Sequence, residues 1–390
     1  MRTTPLAARL ADFILARQHT AFDEAVTRPA RRLLLNQLKA SAECYLQMTH
    51  AQQLPATIAP QDGEAQSGGA LAWWSGLPTT PQHAQSCNRA LLDPLDFGDT
   101  HLPSLRRLTP DIVTALLAHA QAGRCSGPRL LTALAIGLEA EIACAALWPG
   151  MGVAAARCTL LGLDRAATMA SLAQVVPLAM AATPAVAEAL DGPDDDWHLD
   201  DIAIHCWPAP VQALAAIDAT LVLRGLCAGR EPQALQLTIS PVAWQLAEQQ
   251  AAGTGAGTAL SLQHCVAASW RLGQFTVDER QPACVADAAM RGLADKVALR
   301  ADTDCAGVQA CSLTAWFDDG SREHVDVPAF LGTKGAPPSD SQLCELFRAA
   351  ANDLVLPQRA GEVLQALWSL DLSPDVGTLL RLLRPQAATA

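Results

Sequence analysis

The acidic turn "DGPDDDWHLDD" (Asp191–Asp201) separates two textures, and this change of period constrains the fold more than any other feature. Before it, apolar residues recur at helical spacing. Leu6, Leu10, Phe13 and Ile14 share one helical face, as do Leu34, Leu38, Ala42 and Tyr45, and then Leu130, Leu134, Leu138 and Ile142. Thr4 can cap the first helix with Pro5 at its first position. Thr109-Pro110 starts another helix, with Ile112 and Leu116 inward, and Gly123 ends it. Ser126 to Trp148 reads as one long helix, and "TLLGLD" as a helix end at Gly162 with a new cap at Asp164. No strand pattern of comparable quality precedes about residue 200.

After the turn, strand signals appear. "LQLTIS" (Leu235–Ser240) and "VALRAD" (Val297–Asp302) have strand character, and Cys311–Pro328 reads as a hairpin. In it Leu313, Ala315 and Phe317 alternate, Asp319-Gly320 turns the chain, and Val325 and Val327 alternate on the return. Helical stretches at Pro210–Gly225, Leu260–Leu272 and Cys284–Lys296 lie between. "LGTKGAPPSDSQ" is a linker in which Ser339 and Gln342 offer a capping box. The expected fold class is α+β, mostly α. Residues 1–200 and 336–390 form an all-helical domain, and residues 201–335 a smaller α+β domain.

Composition agrees. Of 390 residues, 50% are hydrophobic, 17% charged and 4% aromatic, material for large helical cores. The net charge of -12 argues against a nucleic-acid partner, which needs a basic face. The 12 cysteines contain no Cys-x-x-Cys and read as small buried hydrophobes in a reducing cytoplasm. "MRTTPLAARLADFILARQ" carries charges throughout and does not read as a secretory signal. The most apolar window, Met169–Leu190, is interrupted by Gln174, Pro177, Pro184 and Glu188, so a buried helix pair is expected rather than a membrane span. "GTGAG" (Gly253–Gly257) is a connection rather than a dinucleotide fingerprint, and no Gly-x-Ser-x-Gly elbow occurs.

The densest chemistry lies in "LLDPLDFGDTH" (Leu91–His101), followed by Arg106 and Arg107. Asp96 reads as a base, as a group orienting one, or as a helix N-cap. Thr100 can bond a carboxylate or cap. His101 can titrate near neutrality or sit at the surface. Arg106 and Arg107 suit bidentate carboxylate binding or form a solvated pair. His205 and His264 complete the candidates, each with a structural reading beside the functional one.

Several stretches together resemble the MmgE/PrpD family, which includes 2-methylcitrate dehydratase, cis-aconitate decarboxylase and iminodisuccinate epimerase. Asp96, Phe97, Asp99 and Thr100 match its Asp-aromatic-Asp-Asp-Thr signature, with Gly98 where an aspartate is usual. Ala156–Val176 resembles its central helix pair, and Pro208–Leu223 the start of its lid domain. Gly257–Thr276 and Leu293–Asp304 resemble the lid's helix and strand, and Gly335–Ala351 the return to the helical domain. The resemblance implies a helical domain plus an α+β lid with a cleft between them, a homodimer and no cofactor; the residue pattern itself leads to the expectation of no metal site and no membrane span. The implied reaction is lyase or isomerase chemistry on a small carboxylated substrate. Asp96, Thr100, His101 and His205 are then catalytic, and Arg106, Arg107 and His264 bind substrate.

The chain departs from the pattern at several points. The family's His-Pro-Thr segment is absent, and a Lys- and His-bearing stretch is replaced by Thr183–Trp197. His205 stands where a lysine is usual, Leu214 where a histidine is usual, and Arg106 or Arg107 at a further histidine position. These losses point to a changed reaction, or to an inactive relative that serves as a binding or partner subunit.

Overall fold

The computed structural model describes residues 5–50, 69–145, 148, 150–177, 180–192, 197–253 and 260–384. In chain order the first helices are α1 (Leu6–Arg17), α2 (Glu24–His50), α3 (Pro81–Ala90), α4 (Thr109–Ala122), α5 (Gly127–Cys144), α6 (Met151–Leu161), α7 (Arg165–Leu172) and α8 (Pro184–Leu190). Next come α9 (Val211–Leu226), α10 (Pro241–Gly253), α11 (Leu262–Leu272), α12 (Pro282–Ala286) and α13 (Ala288–Ala294). The last are α14 (Asp340–Ala351), α15 (Pro357–Trp368) and α16 (Gly377–Leu382). The strands are β1 (Ala70–Leu71), β2 (Pro78–Thr79), β3 (Asp99–His101), β4 (Ile202–Ile204), β5 (Ala234–Ile239), β6 (Val297–Ala301), β7 (Cys311–Trp316) and β8 (Arg322–Val327). The fold is mostly helical with small sheets. No described helix is long and apolar enough to cross a membrane.

The chain divides into two compact units. One comprises residues 1–94, 103–202 and 339–390; the other comprises 95–102 and 203–338. In the first unit, Leu6, Leu10, Phe13 and Ile14 of α1 are buried with Ile136, Met151 and Leu172. Each such side chain contributes roughly 1.5–3 kcal/mol. Pro5 occupies the N-cap position of α1 rather than its first turn. An extended bridge to Ala181 holds it there, with Leu6 N donating to Met180 O at 2.8 Å. Thr4 lies outside the described residues.

Helices α5 and α6 meet backbone to backbone. A Cβ on Gly137 would lie 2.6 Å from Ala156 Cβ, and one on Gly152 would lie 2.5 Å from Gly137 O. The buried Glu141 carboxylate accepts from Gly150 N and Gly152 N, satisfying the open N–H groups at the start of α6. This cap restarts the chain there, so α5 ends at Cys144 and not at Trp148. Gly162 ends α6 in the left-handed region, and Asp164 caps α7. The Ser339–Gln342 capping box opens α14, where Asp340 pairs with Arg28 of α2 at 2.8 Å.

The second unit carries a four-stranded sheet in the order β6-β5-β7-β8, with β5 and β6 parallel and the other pairs antiparallel. Leu235, Leu237 and Ile239 alternate inward on β5, matched by Cys311, Leu313 and Ala315 on β7. Asp319 and Gly320 turn the hairpin as expected. The stretch 284–296 is not one helix. The Asp287 side chain accepts from Ala289 N and Met290 N and starts α13 afresh. Helix α10 has no counterpart in the sequence expectations, and its continuation, the rest of the glycine-rich "GTGAG", lies outside the described residues.

Candidate active site

The signature stretch does not begin a helix. Asp96 adopts a left-handed φ of 49° and leads into β3, so its reading as an N-cap is overturned. Aspartate tolerates this conformation better than most residues. The turn directs the Asp96 carbonyl at His205, whose Nδ1 lies 2.6 Å away. His205 follows β4, which pairs with β3. Its backbone N–H donates to Gly98 O at 2.9 Å, extending that pairing by one residue. The loop after the hairpin supports β4 from its other side, where Ile204 N donates to Gly332 O at 2.9 Å. Gly332 has φ 124°, and a Cβ there would lie 1.8 Å from Ile204 O, so only glycine fits.

His205 Nε2 lies 2.9 Å from Thr100 Oγ1, and both residues are 3% exposed. A carbonyl can only accept, so Nδ1 carries the proton and Nε2 offers a lone pair to the Thr100 hydroxyl. The result is a water-excluded relay of hydroxyl, imidazole and carbonyl with a fixed tautomer.

Charge enters through Arg280. Its Nη1 donates to Pro208 O at 2.6 Å, and its Nη2 lies 4.0 Å from Asp96 Oδ2. Burial pushes the Arg280 pKa down, while the Asp96 charge opposes that shift. Asp96 therefore does two things: its carbonyl orients His205, and its half-exposed carboxylate faces a partly buried cation. Asp218 braces the surroundings. Its carboxylate accepts from Trp207 Nε1 at 2.7 Å and from Leu331 N at 2.5 Å, and burial raises its pKa. The neighbouring Cys265 thiol is pushed up to about 12 by burial, with Arg280 opposing, and is no nucleophile at neutral pH.

Asp96, Thr100 and His205 thus come together within the second unit, joined by Arg280. His101 and Asp99 are buried on the same short strand. Arg106 and Arg107 belong to the first unit. Arg107 donates to Asp93 Oδ1 at 3.0 Å and to Leu92 O, stapling the turn after α3. Arg106 donates to Ala145 O at 2.9 Å and stands 4.0 Å from Glu141, with 37% of its side chain exposed. His264 is buried on α11 and bonds the Glu279 carbonyl at 2.7 Å through Nε2.

Sequence reasoning missed Arg280, Asp218 and Gly332. Arg280 and Asp218 belong to no motif, and Gly332 falls in the expected linker. Only their tertiary partners give them roles. Among the described residues no group of three or more His, Cys, Asp or Glu could hold a metal ion.

Residues 8–203 match the family model of the MmgE/PrpD N-terminal domain, and residues 207–370 match that of the MmgE/PrpD C-terminal domain. No curated protein matches the chain.

Proposed function

Because this chain belongs to the MmgE/PrpD family, we propose that it is a cofactor-independent lyase or isomerase acting by acid/base chemistry on a small carboxylated substrate. The observation that carries this reading is the buried Thr100–His205–Asp96 relay. Removing a proton from a carbon next to a carboxylate requires a positioned base and a path for the proton. In this reading Thr100 Oγ1 takes the substrate proton as its own proton passes to His205 Nε2. The imidazolium is then held through Nδ1 by the Asp96 carbonyl. Arg280 places a partly buried positive charge beside Asp96, which favours an anionic substrate and the negative charge that develops on it.

Histidine where the family's lysine is usual replaces a compact cation with a group that can both accept and release a proton. That exchange suits moving a proton more than holding a further carboxylate. It favours isomerisation, epimerisation or cyclisation of a less charged acid over dehydration of 2-methylcitrate.

The test is a screen of citrate-like acids and less charged analogues by thermal shift, with product detection by proton NMR. The reading expects a stabilised chain and turnover with at least one acid. No shift and no turnover with any acid contradicts it. Stabilisation without turnover is what an inactive relative in a binding or partner role would show, and also contradicts it.

A further inference from the structure

The second unit also contains a hollow that the relay does not use. It measures about 550 Å³ and lies between the start of α11, the helices α12 and α13, and β6. That volume falls in the range of small-molecule sites. Val285 and Val297 give it apolar wall, while Gln263, His264, Arg291 and Asp295 bring polar groups to it.

Three features distinguish it from an ordinary surface groove. His264 is 5% exposed and lines the hollow, and its Nε2 is committed to the Glu279 carbonyl. The proton therefore sits on Nε2, and Nδ1 keeps a lone pair with no hydrogen-bond partner among the described residues. Arg291 makes no ion pair or side-chain hydrogen bond among the described residues. The same holds for the Asp295 side chain, although the two stand four residues apart and line one hollow.

We propose that this hollow is a second ligand site, and that it takes a zwitterionic α-amino acid. Residues four apart at a helix end hold their Cβ atoms roughly 5–6 Å apart. A carboxylate and an ammonium on one carbon bridge that spacing, the carboxylate on Arg291 and the ammonium on Asp295. A simple anion meets Asp295, and a simple cation meets Arg291, so each single charge is penalised where the pair is not. The ligand side chain lies along Val285 and Val297, and a donor on it reaches His264 Nδ1. An amide side chain meets that requirement, which makes L-glutamine the probe of choice.

Isothermal titration of the full chain with L-glutamine tests this, beside two analogues that each lack one charge, 4-carbamoylbutanoate and 4-aminobutanamide. L-glutamine is expected to bind, and each analogue to bind at least about tenfold more weakly. Arg291→Met and Asp295→Asn, both at exposed positions that the fold does not depend on, are each expected to weaken L-glutamine by a similar factor. Thr100→Val is expected to leave this binding unchanged. No binding at about 10 mM overturns the proposal. So does binding that both variants leave intact, or an analogue that binds as well as L-glutamine.

Discussion

The Thr100 hydroxyl stands 2.9 Å from His205 Nε2, across a strand pairing that joins residues 105 positions apart in the chain. Both groups are buried, and each supplies what the other needs, a donor for a lone pair. Thr100→Val keeps the shape and removes the donor. Turnover is expected to fall by roughly 10²–10⁴-fold, the scale of a lost acid/base path. Stability should drop by about 1–3 kcal/mol, because the buried Nε2 is left unsatisfied. Thr100→Ser should retain most of both. Steady-state kinetics and thermal melts of the two variants check this.

Gly332 is the support behind β4. Gly332→Ala drives a Cβ into the Ile204 carbonyl at 1.8 Å and forces a non-glycine residue to φ 124°. A loss of at least about 2 kcal/mol is expected, with a matching loss of activity since His205 follows Ile204 directly. Denaturant unfolding measures the first, and turnover the second. Full stability in the alanine variant would contradict the described loop.

Asp218 and Glu279 should give pH dependences of opposite sign. Burial raises the Asp218 pKa from 3.8, so its folded form binds the proton more tightly than the unfolded chain. Its contribution is fully present below the unfolded value and is lost as pH rises through the folded one. For Glu279, burial pulls upward, but hydrogen bonds from Thr276 and Gln274 win and lower its pKa from 4.5. That contribution is present above the unfolded value and is lost as pH falls through the folded one.

Asp218→Asn mimics the protonated carboxyl, so it should sit close to wild type at low pH and gain on it as pH rises. Glu279→Gln should show a gap that narrows as pH falls. Melting temperatures from pH 3 to 8 separate the two slopes.

Much of the architecture was legible because its causes are local. The periodic faces of α1, α2 and α5, the Gly162–Asp164 break, the Asp319-Gly320 hairpin and the Ser339–Gln342 box all depend on residues within one or two turns of each other. Site geometry depends on contacts that span most of the second unit. Nothing near Asp96 in sequence announces a left-handed turn or a strand, because β3 is three residues long and exists by pairing with β4. Asp96 and Thr100 drew notice through their residue types and their match to the family signature, and what they do follows from His205. Arg280 carried no signal at all, since a charge in "VDERQ" becomes a partly buried cation only when the fold brings Pro208 and Asp96 to it.

In the proposed reaction His205, addressed through Thr100, moves a proton at a carbon next to a carboxylate. The most direct measurement is deuterium wash-in from D2O, followed by proton NMR, on the acid that most stabilises the full chain. The wild-type chain should exchange the proton next to the carboxylate, and His205→Gln should slow that exchange by at least about 10²-fold. No exchange in the wild type, or equal exchange in His205→Gln, would contradict the account.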